Sequence, residues 1–115
     1  MFFIIPLNSQ KALFSGEEAN VIRFALSIFL QTDLAGLTSK KEEEKAKDLA
    51  HLSLDKFTNH VNDFTFKELC VMAGAVDNLI ALIEDGETFG ISETQMKNCK
   101  FFLPAVKRKL IELVK

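Results

Sequence analysis

The chain has few of the residues that build disulfides, metal centres or phosphate sites. Its 115 residues include two cysteines, two histidines and five glycines, with neither tryptophan nor tyrosine. Two cysteines are too few for a disulfide framework or a four-cysteine zinc site, and the scattered glycines form no phosphate-binding loop. Cys70 and Cys99 each fall on an apolar face of a predicted helix. We therefore expect two buried, reduced thiols, no metal and no cofactor.

Neither sign of charge dominates, and no apolar run is long. Fourteen Lys and Arg residues against sixteen Asp and Glu residues give a net charge of −2, which provides no general attraction for nucleic acid or an anionic membrane. The apolar runs at residues 1–7 and 21–30 fall well short of the roughly 20 residues that a membrane span needs. The first run also lacks the basic region and cleavage site of a signal peptide. We predict a cytoplasmic protein with no membrane partner, and we do not expect nucleic acid as a partner.

Four capping signals stand where hydrophobic periodicity begins. A Ser or Thr followed three residues later by Glu or Gln forms a capping box, which satisfies free backbone N–H groups at a helix start. The four boxes are Ser15/Glu18, Ser39/Glu42, Thr65/Glu68 and Ser92/Gln95. They predict one all-α, four-helix bundle-like domain, with helices over about 16–34, 40–63, 66–85 and 93–114. Pro104 predicts a kink or break in the last helix.

The N-terminal residues 1–7 predict a short, extended, apolar segment. Bulky and β-branched side chains favour extended backbone, and Pro6 cannot continue a helix. Because no second strand pattern follows in the sequence, this segment should lie across helices or pair with its own copy in a dimer.

Two of the predicted helices, 16–34 and 66–85, are apolar around most of their circumference. A surface helix normally has a single apolar stripe, and a 115-residue monomer would hardly cover two such helices. Large exposed apolar patches mark interaction sites. We predict a protein that acts by protein–protein contact, as an adaptor, inhibitor or assembly subunit, and that forms a homodimer. The candidate interface residues are Val71, Met72, Leu79, Leu82, Phe2, Phe3 and Ile4.

Ionisable residues give no indication of an enzyme. Asp48, His51 and Asp55 share one face of the charged helix, but no obvious fourth ligand accompanies them. The carboxylates between residues 84 and 87 adjoin a glycine turn and have no histidine or lysine nearby in sequence. We expect no catalytic residues and no small-molecule substrate. The cations near the C-terminus suit the negative end of a helix, with an anionic partner as the alternative.

Residues 65–86 allow a second interpretation. If the helix breaks at residues 73–75, the stretch resembles the helix-turn-helix of phage-repressor-type regulators. The matching residues are Thr65, Lys67, Glu68, Leu69, Cys70, Ala73, Gly74, Ile80, Ile83, Glu84 and Gly86. The resemblance implies a DNA-binding transcriptional regulator. However, Phe66 stands where the family has glutamine, and the second helix carries no cation for bases or phosphates. If the helix is continuous, it should be buried at the centre of the bundle or in an interface.

Overall fold

The computed structural model describes residues 13–32 and 39–115. They form four α-helices, α1 (Gly16–Gln31), α2 (Lys40–Thr58), α3 (Phe66–Glu84) and α4 (Glu93–Val114). Within these ranges there is no strand, so the prediction of an all-α, bundle-like fold is confirmed. No helix in the described ranges combines the length and hydropathy of a membrane span. The predicted extended segment at residues 1–7 lies outside them.

Each helix begins directly after the capping residue predicted for it. In α1, α3 and α4 the capping hydroxyl accepts a hydrogen bond from the backbone N–H three residues on, and the Glu or Gln there returns one. In α2, Ser39 accepts from the Glu42 N–H at 3.1 Å without the reciprocal bond. The helix starts could be read from sequence because these bonds join residues three apart.

The end of α2 comes five residues earlier than predicted, at Thr58. The backbone N–H of His60 donates to the Phe57 carbonyl at 3.2 Å, and that of Val61 donates to the Lys56 carbonyl at 2.8 Å. These two bonds form a Schellman motif, whose left-handed position is usually glycine. Here His60 occupies it with a φ of 57°, so the sequence contains no glycine to signal the helix end.

The two apolar helices, α1 and α3, lie at the centre of the bundle. Each contacts the other three helices, whereas α2 and α4 flank them and make no contact with each other over the described residues. A helix covered from three directions has only a narrow strip left for solvent, which accounts for the nearly continuous apolar surface of α1 and α3. Their apolar faces therefore pack within one chain.

This packing corrects part of the predicted interface. Met72 and Leu79 are 0% exposed and belong to the core of the single chain, so neither has surface left for a partner. Val71 and Leu82 are half-buried. The remaining candidates, Phe2, Phe3 and Ile4, lie outside the described residues.

Two helices run through positions where a break was considered. α3 is continuous through residues 73–75, so the turn that the helix-turn-helix resemblance requires is not formed. α4 likewise passes through Pro104 as one helix, so of the predicted kink or break the break is not formed. The Lys100 carbonyl loses its usual backbone donor to the proline, and both residues lie on the exposed side of α4.

Candidate interaction surface

The inner face of α4 holds the helix against the bundle. Its buried residues repeat at three- and four-residue spacing, which places them on one side of a helix. They are Cys99, Leu103, Val106 and Leu110. Because these residues fix the rotation of α4 against α1 and α3, they also decide which side chains face solvent.

α4 and its C-cap residue, Lys115, together carry six of the fourteen Lys and Arg residues of the chain. Three of them form ion pairs within the chain. These are Lys107 with Asp77, Lys109 with Glu18 and Lys115 with Glu112, at N–O distances of 3.1, 2.7 and 3.0 Å. The other three, Lys97, Lys100 and Arg108, form no ion pair with any residue that the structure describes.

The three unpaired cations lie on the same side of α4 as an exposed aromatic ring. Phe101 is 76% exposed, the largest value for any large hydrophobic side chain in the described ranges. Its ring stands edge-on to that of half-buried Phe102, with centroids 5.0 Å apart and an interplanar angle of 87°. Together with exposed Pro104, these residues form what we call the α4 surface. It consists of Lys97, Lys100, Phe101, Pro104 and Arg108, and spans about 16 Å along the helix.

An apolar groove between α3 and α4 adjoins this surface. It has a volume of about 500 Å³ and is lined by the apolar side chains of Ile80, Ile83, Leu103 and Pro104 and the charged side chains of Glu84, Lys100 and Lys107. Lys100 and Pro104 belong to both the groove and the α4 surface. The two features are therefore continuous, with unpaired positive charge beside exposed apolar area.

A second groove, between α1 and α4, has a volume of about 390 Å³ and combines apolar walls with side-chain amides. Phe24 and Phe102 contribute to its walls, and the buried Cys99 contributes to its lining. Burial raises the pKa of the Cys99 thiol, which keeps the thiol protonated and weakly nucleophilic near neutral pH. Cys70, in contrast, is exposed, which corrects the prediction that both thiols are buried.

The ionisable groups singled out in the sequence are dispersed or used structurally. Asp48, His51 and Asp55 are all exposed on α2, and no group of three or more His, Cys, Asp or Glu in the described part of the chain is placed to hold a metal ion. The Glu87 carboxylate accepts backbone N–H bonds from Thr88 and Phe89, both at 3.2 Å. Glu87 thus orders the turn between α3 and α4.

The cations near the C-terminus were recognised from the sequence, but the α4 surface, to which Arg108 belongs, was not predicted. The available signal was Phe101, which falls on the side of α4 opposite its apolar repeat when positions are spaced by 100°. A large aromatic residue on the polar side of an amphipathic helix is expected to be exposed. Comparison with known proteins adds nothing to this, since no family model, curated protein or solved structure matches the chain.

Proposed function

We propose that this protein acts by binding another protein through the α4 surface, as an adaptor, an inhibitor or a subunit of an assembly. The observation that carries the proposal is the exposure of Phe101, 76%, in the middle of a helix whose inner face is fully used. Aromatic and arginine side chains are enriched in protein interfaces relative to the rest of the surface. Phe101 and Arg108 supply both types on one side of α4.

The proposed partner is a different protein rather than a second copy. In a two-fold symmetric dimer the same patch lies on both subunits, so the two sets of unpaired cations, Lys97, Lys100 and Arg108, would be brought together. Juxtaposed like charges disfavour such an interface. The predicted homodimer rested on the apolar faces of α1 and α3, and these faces pack within the chain. The homodimer stays a prediction, which light scattering would test.

The proposed setting is the cytoplasm. Both cysteines are free, and free thiols suit a reducing compartment. DNA binding, the alternative drawn from residues 65–86, receives no support from the continuous helix α3. A DNA titration at low salt would test that alternative, because phosphate contacts weaken steeply as salt is added.

The test compares Phe101→Ala with Phe66→Ala in the full chain. Phe66 is 60% exposed on α3, which makes it a matched control for removing an exposed ring elsewhere. We expect both variants to unfold at the wild-type temperature within a few degrees. Proteins retained from extracts of the source cell should be held by wild type and Phe66→Ala but lost by Phe101→Ala. Equal retention by the two variants would contradict the proposal.

A further inference from the structure

The α4 surface should favour a negatively charged partner, because three of its cations are unpaired. Lys107, Lys109 and Lys115 each have a carboxylate at 3.1 Å or less, so an incoming group would compete with a bond already made. Lys97, Lys100 and Arg108 have no such bond within the described ranges. Carboxylates of a partner would therefore meet these three cations without displacing anything but water.

The apolar part of the site is a groove whose walls come from two neighbouring helices. Ile80 and Ile83 of α3 and Leu103 of α4 line a trough of about 500 Å³ that runs beside Pro104. An amphipathic helix presents apolar residues at positions i, i+3, i+4 and i+7 to such a groove. The cations from Lys97 to Arg108 extend about 16 Å along α4, which equals three turns of a partner helix.

From these two features we infer that the partner contributes an acidic, amphipathic helix of about three turns, which lies along the groove between α3 and α4. Its apolar side chains enter the groove, and its carboxylates face Lys97, Lys100 and Arg108. The exposed ring of Phe101 packs against the partner as the aromatic anchor of the contact, beside these ion pairs. This inference rests on the proposed function, to which it adds the chemistry of the partner.

The charges favour an acidic helix over a nucleic acid. Affinity for nucleic acid grows with the number of phosphates that Lys and Arg neutralise, and this surface has only three unpaired cations among the described residues. The groove also contains the Glu84 carboxylate, which would repel a phosphate backbone. A partner helix can place its carboxylates toward the cations and leave Glu84 beside a polar or basic residue.

The probe is a designed, dye-labelled helical peptide of about 14 residues, with leucine at the i, i+3, i+4 and i+7 positions and glutamate on the flanks. A second peptide has lysine in place of each glutamate. Fluorescence anisotropy with the full chain should show binding of the acidic peptide at least about tenfold tighter than that of the basic one, a difference of about 1.4 kcal/mol. The affinity should fall as salt is raised, because salt screens exposed ion pairs.

The decisive variant reverses the three charges together, with Lys97→Glu, Lys100→Glu and Arg108→Glu. We expect it to lose the acidic peptide and to prefer the basic one. The matched control, Lys40→Glu with Lys41→Glu and Lys45→Glu, makes the same change of charge at exposed positions of α2 and should bind the acidic peptide as wild type does. Equal loss in both triple variants, equal binding of both peptides, or tighter binding of a single-stranded oligonucleotide would overturn the inference.

The partner-retention experiment separates this inference from the proposed function. If proteins from the source cell depend on Phe101 but are retained after the α4 charge reversal, protein binding through α4 stands and the acidic helix is wrong. If neither Phe101→Ala nor the charge reversal changes retention, both proposals fail.

Discussion

The carboxylate of Glu68 lies 2.6 Å from the ammonium group of Lys56, and the same Oε1 atom accepts the backbone N–H of Thr65 at 2.7 Å. One oxygen thus closes the capping box of α3 and ties α3 to α2. Glu18 repeats the arrangement in α1, where its Oε1 accepts from the Ser15 N–H at 2.8 Å and from Lys109 of α4 at 2.7 Å.

Both lysines also lie over phenylalanine rings of one cluster. The Nζ atoms of Lys56 and Lys109 are each 5.7 Å from a ring centroid, of Phe64 and Phe14 respectively. Phe14, Phe57 and Phe64 contact one another, with centroid separations of 4.9 to 6.3 Å. Ion pairs beside a single aromatic cluster therefore hold the starts of the two central helices against the outer helices. This arrangement gives the cap glutamates a tertiary role.

Replacing Glu68 with glutamine should destabilise the fold more than removing a surface ion pair. Glu68→Gln keeps the shape of the cap but leaves the Lys56 ammonium without its carboxylate, and Glu68 is only 3% exposed. Hydrogen bonds to charged groups contribute about 1.5–3 kcal/mol, so we expect the free energy of unfolding in urea to fall by about that amount. The control is Glu112→Gln, which removes the exposed pair with Lys115 and should cost less than about 0.5 kcal/mol. Similar losses for both variants would contradict a buried role for Glu68.

The same carboxylates predict how stability depends on pH. The hydrogen bond from Lys109 is the main cause that lowers the pKa of Glu18 below its usual 4.5. Burial alone would raise the pKa of Glu68, but hydrogen bonds from Lys56 and the Thr65 backbone outweigh it and leave that pKa also below 4.5. Both groups bind protons more tightly in the unfolded chain. Their contribution to stability is therefore fully present above about pH 5 and is lost as pH falls through the folded pKa values.

Urea unfolding from pH 7 to pH 2 tests this dependence. The double variant Glu18→Gln with Glu68→Gln should lose less free energy of unfolding on acidification than wild type does, because two of the groups that protonate on unfolding are gone. An equal acid loss in the double variant and in wild type would show that other carboxylates cause the acid sensitivity.

Replacing Gly74 tests whether α3 is one continuous helix or contains a turn. A Cβ built at Gly74 meets nothing within 4 Å, and the residue is exposed within α3. Gly74→Ala should therefore raise the free energy of unfolding by about 0.5–1 kcal/mol, the difference in helix propensity. Gly86 is the matched control, because its φ of 91° at the end of α3 suits glycine alone. Gly86→Ala should destabilise by about 1 kcal/mol. A loss of stability in Gly74→Ala would indicate the turn that the helix-turn-helix resemblance requires.

Local features of this fold could be predicted from the sequence, and features that depend on neighbouring helices could not. The helix starts follow from bonds between residues three apart, such as Thr65 with Glu68. The end of α2 was missed because His60 holds a left-handed conformation that the sequence does not signal.

The candidate interface shows the same limit. Periodicity indicates how much of a helix is covered, but not whether its own chain or a partner covers it, so buried Met72 and Leu79 resembled interface residues. The burial of Glu68 could not be predicted from the sequence, because its ion-pair partner, Lys56, lies on another helix. Cys70, in contrast, could have been placed correctly. At 100° per residue it falls between Asp77 and Ala81, in the exposed sector of α3.

The two cysteines should differ in reactivity by their position on the helices. Cys70 is exposed and Cys99 is buried, and burial raises the pKa of the Cys99 thiol. Only the thiolate attacks a disulfide reagent, so at neutral pH Cys70 should react rapidly and Cys99 only when the bundle opens locally. A colorimetric thiol assay should show one fast equivalent in the native protein and two in denaturant. In Cys70→Ser the fast phase should disappear, and in Cys99→Ser it should remain. A fast phase that survives in Cys70→Ser would mean that the groove between α1 and α4 opens readily enough to expose Cys99.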